Sequence, residues 1–194
     1  MTSPAAKKAT FFIFLFFLIL FPRLSPYVTD HAGMWDTWTE RIFGLYHFVI
    51  TQTLGIVHEA GHGVCYLLPC PKVLTAANGT IFQVGFPLLV AWYYQRKENR
   101  VAVYIARFFA GFSLQYTAWY ISTAHEGLYV PASKSFLGVD GYHDFAYLLG
   151  TVGLVPYDGF LSTLIKVTAY GIMFWAVTRM YLEAFFSGET PAGK

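Results

Sequence analysis

Long apolar runs separated by short polar segments dominate the chain. The runs are too long for strands and are bounded by proline, glycine and charged residues, so the pattern predicts helices. Several of them approach or exceed the roughly 20 apolar residues that a helix needs to cross a bilayer. The predicted helices cover residues 10–25, 41–68, 85–95, 101–124, 141–152 and 160–186.

The composition changes this picture from a helical protein to a membrane protein. Hydrophobic residues make up 56% of the 194 residues, charged residues make up 12%, and the mean hydropathy is +0.46. A soluble domain carries about 25% charged residues. We therefore expect a single integral membrane domain over residues 1–194, all-α and polytopic, with five to six transmembrane helices. The net charge of +2 gives no reason to expect a nucleic-acid partner.

Residues 72–84 interrupt the helical pattern. Asn78 and Gly79 form a strong two-residue turn signal between two short apolar stretches. We expect a short β-hairpin or a plain loop here, placed directly after the helix at 41–68. In a hairpin, the strand at 81–84 would be free to pair with an extended peptide, and Gln83 is the candidate substrate-binding residue.

The charged residues give conflicting signals for membrane orientation. Three cations between residues 95 and 100 favour a cytoplasmic position for that segment, and Lys7 and Lys8 favour a cytoplasmic N-terminus. The predicted spans do not allow both. Arg23 and Arg41 agree with the segment at 95–100, so we expect that segment in the cytoplasm and the N-terminus outside.

A metal-binding motif lies in the later half of the helix at 41–68. His58, Glu59 and His62 match H-E-x-x-H, which on a helix places two imidazoles one turn apart with a carboxylate beside them. Ionisable groups at membrane depth are costly unless they have partners, which favours function over two scattered histidines and a glutamate. Gly61 and Gly63 could let a neighbouring helix or a substrate approach the metal, or could serve ordinary helix packing.

A catalytic zinc site needs a third protein ligand and an open position. Cys65 and Cys70 are expected to be free buried thiols, with a disulfide or a ligand role as the alternatives. Residue chemistry alone does not rank the other groups near the predicted helix ends. The candidates are Asp144, His143, Asp158, Glu126 and His125.

The segment HEAGHGVCYLL on an apolar helix resembles the site-2-protease family of intramembrane zinc metalloproteases. The segments ANGTIFQVGFPLL, YISTA and GYHDFAYLLGTVGLVPYD are similar to a compact bacterial branch, where a G-x-H-D-aromatic-x-x-L-L motif stands in the place of the third ligand. The similarity covers roughly residues 45–180, but the family's usual N-x-x-P-x-x-x-D-G pattern is reduced to VPYDG at 155–159. The resemblance implies Zn²⁺ held by His58, His62 and Asp144, with His143 or Asp158 as the alternative third ligand.

The resemblance also implies an activity, a substrate class and a location. Zinc would activate a water, and Glu59 would take its proton as the water attacks a peptide bond. The substrate would be a membrane protein or peptide, unwound locally before cleavage, and the enzyme would lie in the bacterial inner membrane in contact with the lipid bilayer.

Three other functions remain open at this point. The first is a non-catalytic relative that serves as a structural or assembly subunit of a larger membrane complex. The second is a metal transporter, although only one focused cluster of ligands is visible. The third is a different membrane zinc protease whose third ligand is a glutamate, for which Glu126 and Glu183 are the candidates.

Overall fold

A computed structural model describes residues 3–24, 38–130 and 141–186, with side chains described at 3–19, 53–129 and 141–186. The described chain is mostly helical, as the apolar runs predict. Two short 3₁₀ turns, Ala124–Glu126 and Val155–Tyr157, and a two-residue antiparallel pairing of β1 (Tyr129–Val130) with β2 (Gly141–Tyr142) complete it. The helices are α1 (Pro4–Leu24), α2 (Trp38–Leu67), α3 (Lys72–Arg96), α4 (Arg100–Ser122), α5 (Asp144–Thr151) and α6 (Asp158–Phe185).

Two segments are long and apolar enough to cross a membrane by length and composition. One is the whole of α3, and the other runs from Val155 to Phe185 through α6. Both leave most of their surface uncovered by the rest of the protein, with 28% of the most apolar window buried in each case. This exposure agrees with a lipid-facing position more readily than with the core of a soluble domain.

The hairpin predicted at 72–84 is wrong. These residues form the first half of α3, which continues without a break to Arg96, so the segment 85–95 is not a separate helix either. The Asn-Gly pair lies where α3 crosses α2 and forms no turn. The Asn78 side-chain amide donates to the Gly61 carbonyl of α2 at 2.5 Å. The packing of α3 against α2 therefore overrides the local turn signal of Asn78 and Gly79.

The helix α4 lies at the centre of the fold, between α3 and α6. Its buried Phe108 and Phe112 pack in one apolar cluster with Met173 and Val177 of α6. The helices approach closely at Gly111, where a Cβ atom would stand 2.6 Å from the Met173 side chain. The two helices are antiparallel, since Gln115 of α4 donates to the backbone of α6 at one end of the contact and Tyr104 faces Arg179 at the other.

The helix α1 packs along α6 in the opposite direction. Lys7 forms an ion pair with Glu183 at 2.8 Å, and Glu183 also lies 3.7 Å from Arg100 at the start of α4. The start of α1 therefore lies at the same end of the fold as the turn between α3 and α4, whereas the sequence predicts opposite sides. It also follows that α1 runs in the same direction as α2, because α2 and α4 are both antiparallel to α3.

The expectation of free cysteines is also wrong, because Cys65 and Cys70 form a disulfide. The last turn of α2 ends at Leu67, and the chain folds back before α3 begins at Lys72. This reversal brings the two Cα atoms to 5.1 Å, within the usual range for a disulfide. The bond ties the end of the motif helix to the start of the next helix.

Candidate metal centre

His58, His62 and Asp144 converge on one point. The two histidine Nε2 atoms lie 3.1 Å apart, and each lies 3.2 Å from the Asp144 Oδ2 atom. The three residues form a group that could hold a metal ion. His58 and Asp144 are buried, with 2% and 9% of their surfaces exposed, so the group is largely removed from solvent.

The outer nitrogen of each histidine is held by α3. His62 Nδ1 lies 2.8 Å from the Thr75 carbonyl oxygen, and His58 Nδ1 lies 3.0 Å from the Gln83 Oε1 atom. A carbonyl oxygen can only accept a hydrogen bond, so both Nδ1 atoms act as donors. In the neutral imidazoles, the protons are then on Nδ1 and the lone pairs are on Nε2.

These tautomers make the inner triangle a set of acceptors. Two imidazole lone pairs and a carboxylate oxygen face one another at 3.1–3.2 Å, an arrangement that requires a cation or a proton between them. Zinc bonds of about 2.0–2.1 Å in tetrahedral geometry separate neighbouring ligand atoms by roughly 3.3 Å. The triangle fits that spacing, and a tetrahedral ion held by these three described ligands alone would keep one position open.

The Asp144 carboxylate can face the two histidine Nε2 atoms because the neighbouring residue, His143, caps helix α5 instead. His143 Nδ1 accepts from the Ala146 backbone N–H at 3.3 Å, so the first turn of α5 does not need the Asp144 carboxylate as a cap. The Asp144 backbone N–H donates to the Tyr120 hydroxyl at 3.1 Å, and that hydroxyl donates to the Tyr142 carbonyl at 3.3 Å. Tyr120 of α4 therefore fixes where α5 begins.

His143 itself is directed away from the metal group. With Nδ1 accepting from Ala146, its Nε2–H donates to the Thr123 hydroxyl at 3.0 Å. Its ring stacks on Tyr120 with centroids 4.3 Å apart and planes 9° from parallel. Burial lowers the pKa of His143 below its ordinary value, which keeps the ring neutral for this double role.

The remaining candidates for the third ligand lie elsewhere. The Asp158 carboxylate accepts from both the backbone N–H and the ring of His125, at 3.1 and 2.6 Å. Glu126 is exposed in the 3₁₀ turn after α4, and Glu183 is paired with Lys7 at the opposite end of that helix. The structure thus brings together His58, His62 and Asp144 among the residues that the sequence singles out.

The space beside the two histidines depends on Gly79. A Cβ atom at this position of α3 would lie 2.6 Å from the Nε2 atoms of both His58 and His62. Helices α2 and α3 also approach closely at Gly61, where a Cβ atom would collide with the Asn78 backbone. At Gly63, by contrast, nothing lies within 4 Å of a Cβ atom. Gly61 and Gly79 therefore permit the close approach of α2 and α3, and Gly63 does not contribute to it.

Glu59 lies beside this group on α2, half-buried. Its charge acts on both His62 and Tyr120, so it lies within electrostatic reach of the ligand group. Among the residues that the structure describes, it forms no hydrogen bond or ion pair. A carboxylate with this position and no fixed partner is available to exchange a proton with a small molecule in the site.

Gln83 has a different position from the one that the sequence suggests. It lies in a helix, 1% exposed, with Oε1 on His58 and no hydrogen-bond partner for its Nε2 atom within the described chain. The strand on which its substrate-binding role was based is therefore missing. Sequence reasoning also missed Thr75, Gly79 and Tyr120, although Thr75, Gly79 and Gln83 follow a four-residue spacing that would mark one face of a helix.

Comparisons with other proteins add no family to this geometry. The chain matches no protein-family model, no curated protein and no solved structure.

Proposed function

We propose that this protein is a membrane-embedded zinc metalloprotease of the site-2-protease type. One observation carries the proposal: three acceptor atoms from His58, His62 and Asp144 converge at 3.1–3.2 Å with the outer histidine nitrogens already committed. Two imidazoles and one carboxylate are a common ligand set for catalytic zinc. When bound, such an ion supplies Lewis acidity, which lowers the pKa of water and polarises a carbonyl group.

The protein's own residues supply the remaining functions that hydrolysis needs. Glu59 accepts a proton from the attacking water and returns it to the leaving amine, since it lies beside the ligand group and no described residue pairs with its carboxylate. Thr75 and Gln83 orient the imidazoles through their Nδ1 protons. Burial of His58 and Asp144 excludes bulk water, which strengthens each electrostatic contact.

The helices support a multi-pass arrangement in a bilayer. α2, α3, α4 and α6 contain 30, 25, 23 and 28 residues, enough to cross about 30 Å of hydrocarbon, and they alternate in direction. We count these four as spans, with α5 as a partial one. The sequence predicts five to six spans, but α1 runs parallel to α2, and successive spans joined by a short segment must alternate. A bacterial inner membrane is the proposed location.

The chief alternative is a non-catalytic subunit of a larger membrane complex. A purely structural metal site is normally closed by four protein ligands. Among the described residues the ligand group has three members, and the Glu59 carboxylate next to it forms no hydrogen bond with any of them. These features favour an open, catalytic site.

Metal content and peptide hydrolysis test the proposal together. The wild-type chain, purified in detergent without chelators, should contain about one zinc per molecule, and His58→Ala and Asp144→Ala should lose it because each removes one of three ligands. Glu59→Gln should keep the zinc but lose hydrolysis of a membrane-derived peptide by about 100-fold or more, the usual weight of a general base. Elemental analysis and a fluorogenic peptide assay give the two readouts.

His125→Ala is the matched control, because His125 pairs with Asp158 away from the ligand group. It should keep both zinc and activity. Metal-free wild-type protein, or full turnover in Glu59→Gln, would contradict the proposal. Zinc with no turnover in any variant would favour the non-catalytic subunit.

A further inference from the structure

The two ends of the α2–α6 bundle differ in charge. One end, here called the basic end, is formed by the turn between α3 and α4 and by the last turns of α6. The opposite end, here called the far end, contains the turn between α2 and α3 and the segments around α5; its described part carries Lys72 together with the acidic Glu126 and Asp158. The basic end carries the four cations Arg96, Lys97, Arg100 and Arg179 and the two acidic residues Glu98 and Glu183, so cations still outnumber acids there, in contrast to the described part of the far end.

The metal group lies close to the far end. Gly79 gives the position of the metal group along α3, since a Cβ atom there would touch both histidine Nε2 atoms. At 1.5 Å per residue, Gly79 is about 25 Å from Arg96 and about 10 Å from Lys72. Tyr120, which contacts the Asp144 backbone, lies about 30 Å along α4 from Arg100. Both helices therefore place the ligand group nearly one hydrocarbon thickness from the basic end.

The disulfide indicates which compartment the far end faces. Cys65 follows His62 by less than one turn, and Cys70 precedes α3, so the bond lies at the far end beside the ligand group. Disulfides persist in oxidising compartments and are rare where cytosolic thiols keep cysteines reduced. Cations flanking membrane spans collect on the cytoplasmic side. Charge and redox chemistry thus assign the same orientation independently.

We propose that the metal group faces the extracytoplasmic side of the membrane, and that the enzyme cleaves peptide bonds at the extracytoplasmic ends of the membrane segments of its substrates. The orientation rests on the basic end and the disulfide, while the substrate class rests on the proposed function. A substrate helix needs to unwind only near the outer interface to reach this site. Unwinding there is less costly than at the bilayer centre, because water can satisfy the released backbone groups.

Labelling of single cysteines in intact cells tests the orientation without requiring catalysis. In the full chain with Cys65→Ser and Cys70→Ser, Glu126→Cys reports the far end and Glu98→Cys reports the basic end. Both positions are exposed, and Glu98 already has a positive φ of 55°, so the exchange introduces no new backbone conformation. A membrane-impermeant maleimide should label Glu126→Cys in intact bacteria and Glu98→Cys only after permeabilisation.

The opposite labelling pattern would overturn the orientation. Equal labelling of both positions before permeabilisation, or of neither, would overturn it as well, because the bundle would then not span the membrane. The wild-type cysteines provide an independent readout: they should resist alkylation by a maleimide-polyethylene glycol until a reductant is added. Alkylation without reductant would show free thiols and remove the redox argument.

A doubly tagged single-span substrate tests the cleavage side. Cleavage should leave the cytoplasmic tag attached to nearly the whole membrane segment, and Glu59→Gln should not produce this fragment. A fragment cut near the cytoplasmic end would overturn the proposed substrate class. If the labelling is as expected but no substrate is cut and Glu59→Gln matches the wild type in the peptide assay, the proposed function fails and the orientation stands.

Discussion

The outer ring nitrogens of His58 and His62 decide what the inner ones can do. Because Gln83 and Thr75 accept from the Nδ1 atoms, the Nε2 lone pairs are left for a cation. Thr75 acts through its backbone, so a side-chain exchange does not remove its acceptor. Gln83 acts through its side chain and can be tested directly.

Gln83→Leu should weaken zinc binding by about 10–100-fold, the usual effect of losing a hydrogen-bond partner of a metal-ligating histidine. Leucine fills the buried volume but no longer fixes the tautomer of His58. Competition with a chelator of known affinity measures the change. Gln83→Glu keeps an acceptor oxygen and should restore binding; equal zinc affinity in Gln83→Leu and the wild type would remove the positioning role.

The residues of the centre differ in how visible they are in the sequence. His58, Glu59 and His62 can be read from one motif, since they share a helix and a fixed spacing. Asp144 lies more than eighty residues later. Residue chemistry alone does not distinguish it from His143 and Asp158 as the third ligand. What separates them is that His143 caps α5 and Asp158 is bound to His125, contacts that depend on the folded chain.

At the scale of the helices, the crossing of α2 and α3 builds the site. The pairs His58–Gln83, Gly61–Asn78 and His62–Thr75 connect the two antiparallel helices along one stripe. The prediction of a hairpin failed here because Asn-Gly is a turn signal only where no partner helix uses it. The sequence favoured free thiols over the alternative of a disulfide for a related reason, since the Cys65–Cys70 bond depends on where α2 ends.

Gly61→Ala should destabilise the protein and Gly63→Ala should not. A Cβ atom at Gly61 collides with the Asn78 backbone, and overpacking of this kind costs about 1–3 kcal/mol. At Gly63 the space is open, so the higher helix propensity of alanine can stabilise by up to about 1 kcal/mol. Thermal unfolding in detergent distinguishes them; similar melting temperatures for the two variants would contradict the close crossing.

At the scale of the whole molecule, the metal group joins parts of the chain that are far apart in sequence. Its ligands come from α2 and from α5, and α3 and α4 hold those ligands in place. The helical class, and the presence of helices long and apolar enough to cross a membrane, follow from composition and run length alone. The directions of the helices do not, because they depend on contacts such as Lys7–Glu183 that no periodicity reveals.

Removing the metal should lower the melting temperature of the wild type, and zinc should restore it. An ion that binds the folded state alone, present at 100 times its dissociation constant, stabilises by about 2.7 kcal/mol. Differential scanning fluorimetry with and without chelator measures the shift. Asp144→Ala should melt at the same temperature in both conditions; a chelator-induced shift of wild-type size in that variant would place the ion elsewhere.

The support that α3 gives to the histidines limits what a ligand motif can reveal about a related chain. Gln83 and Gly79 contribute no ligand, yet one fixes the orientation of His58 and the other keeps the space beside both imidazoles open. A homologue could retain H-E-x-x-H and the later aspartate while losing these two residues. Such a chain would pass a motif search and still bind metal poorly, so an inventory of active relatives should be read from both helices.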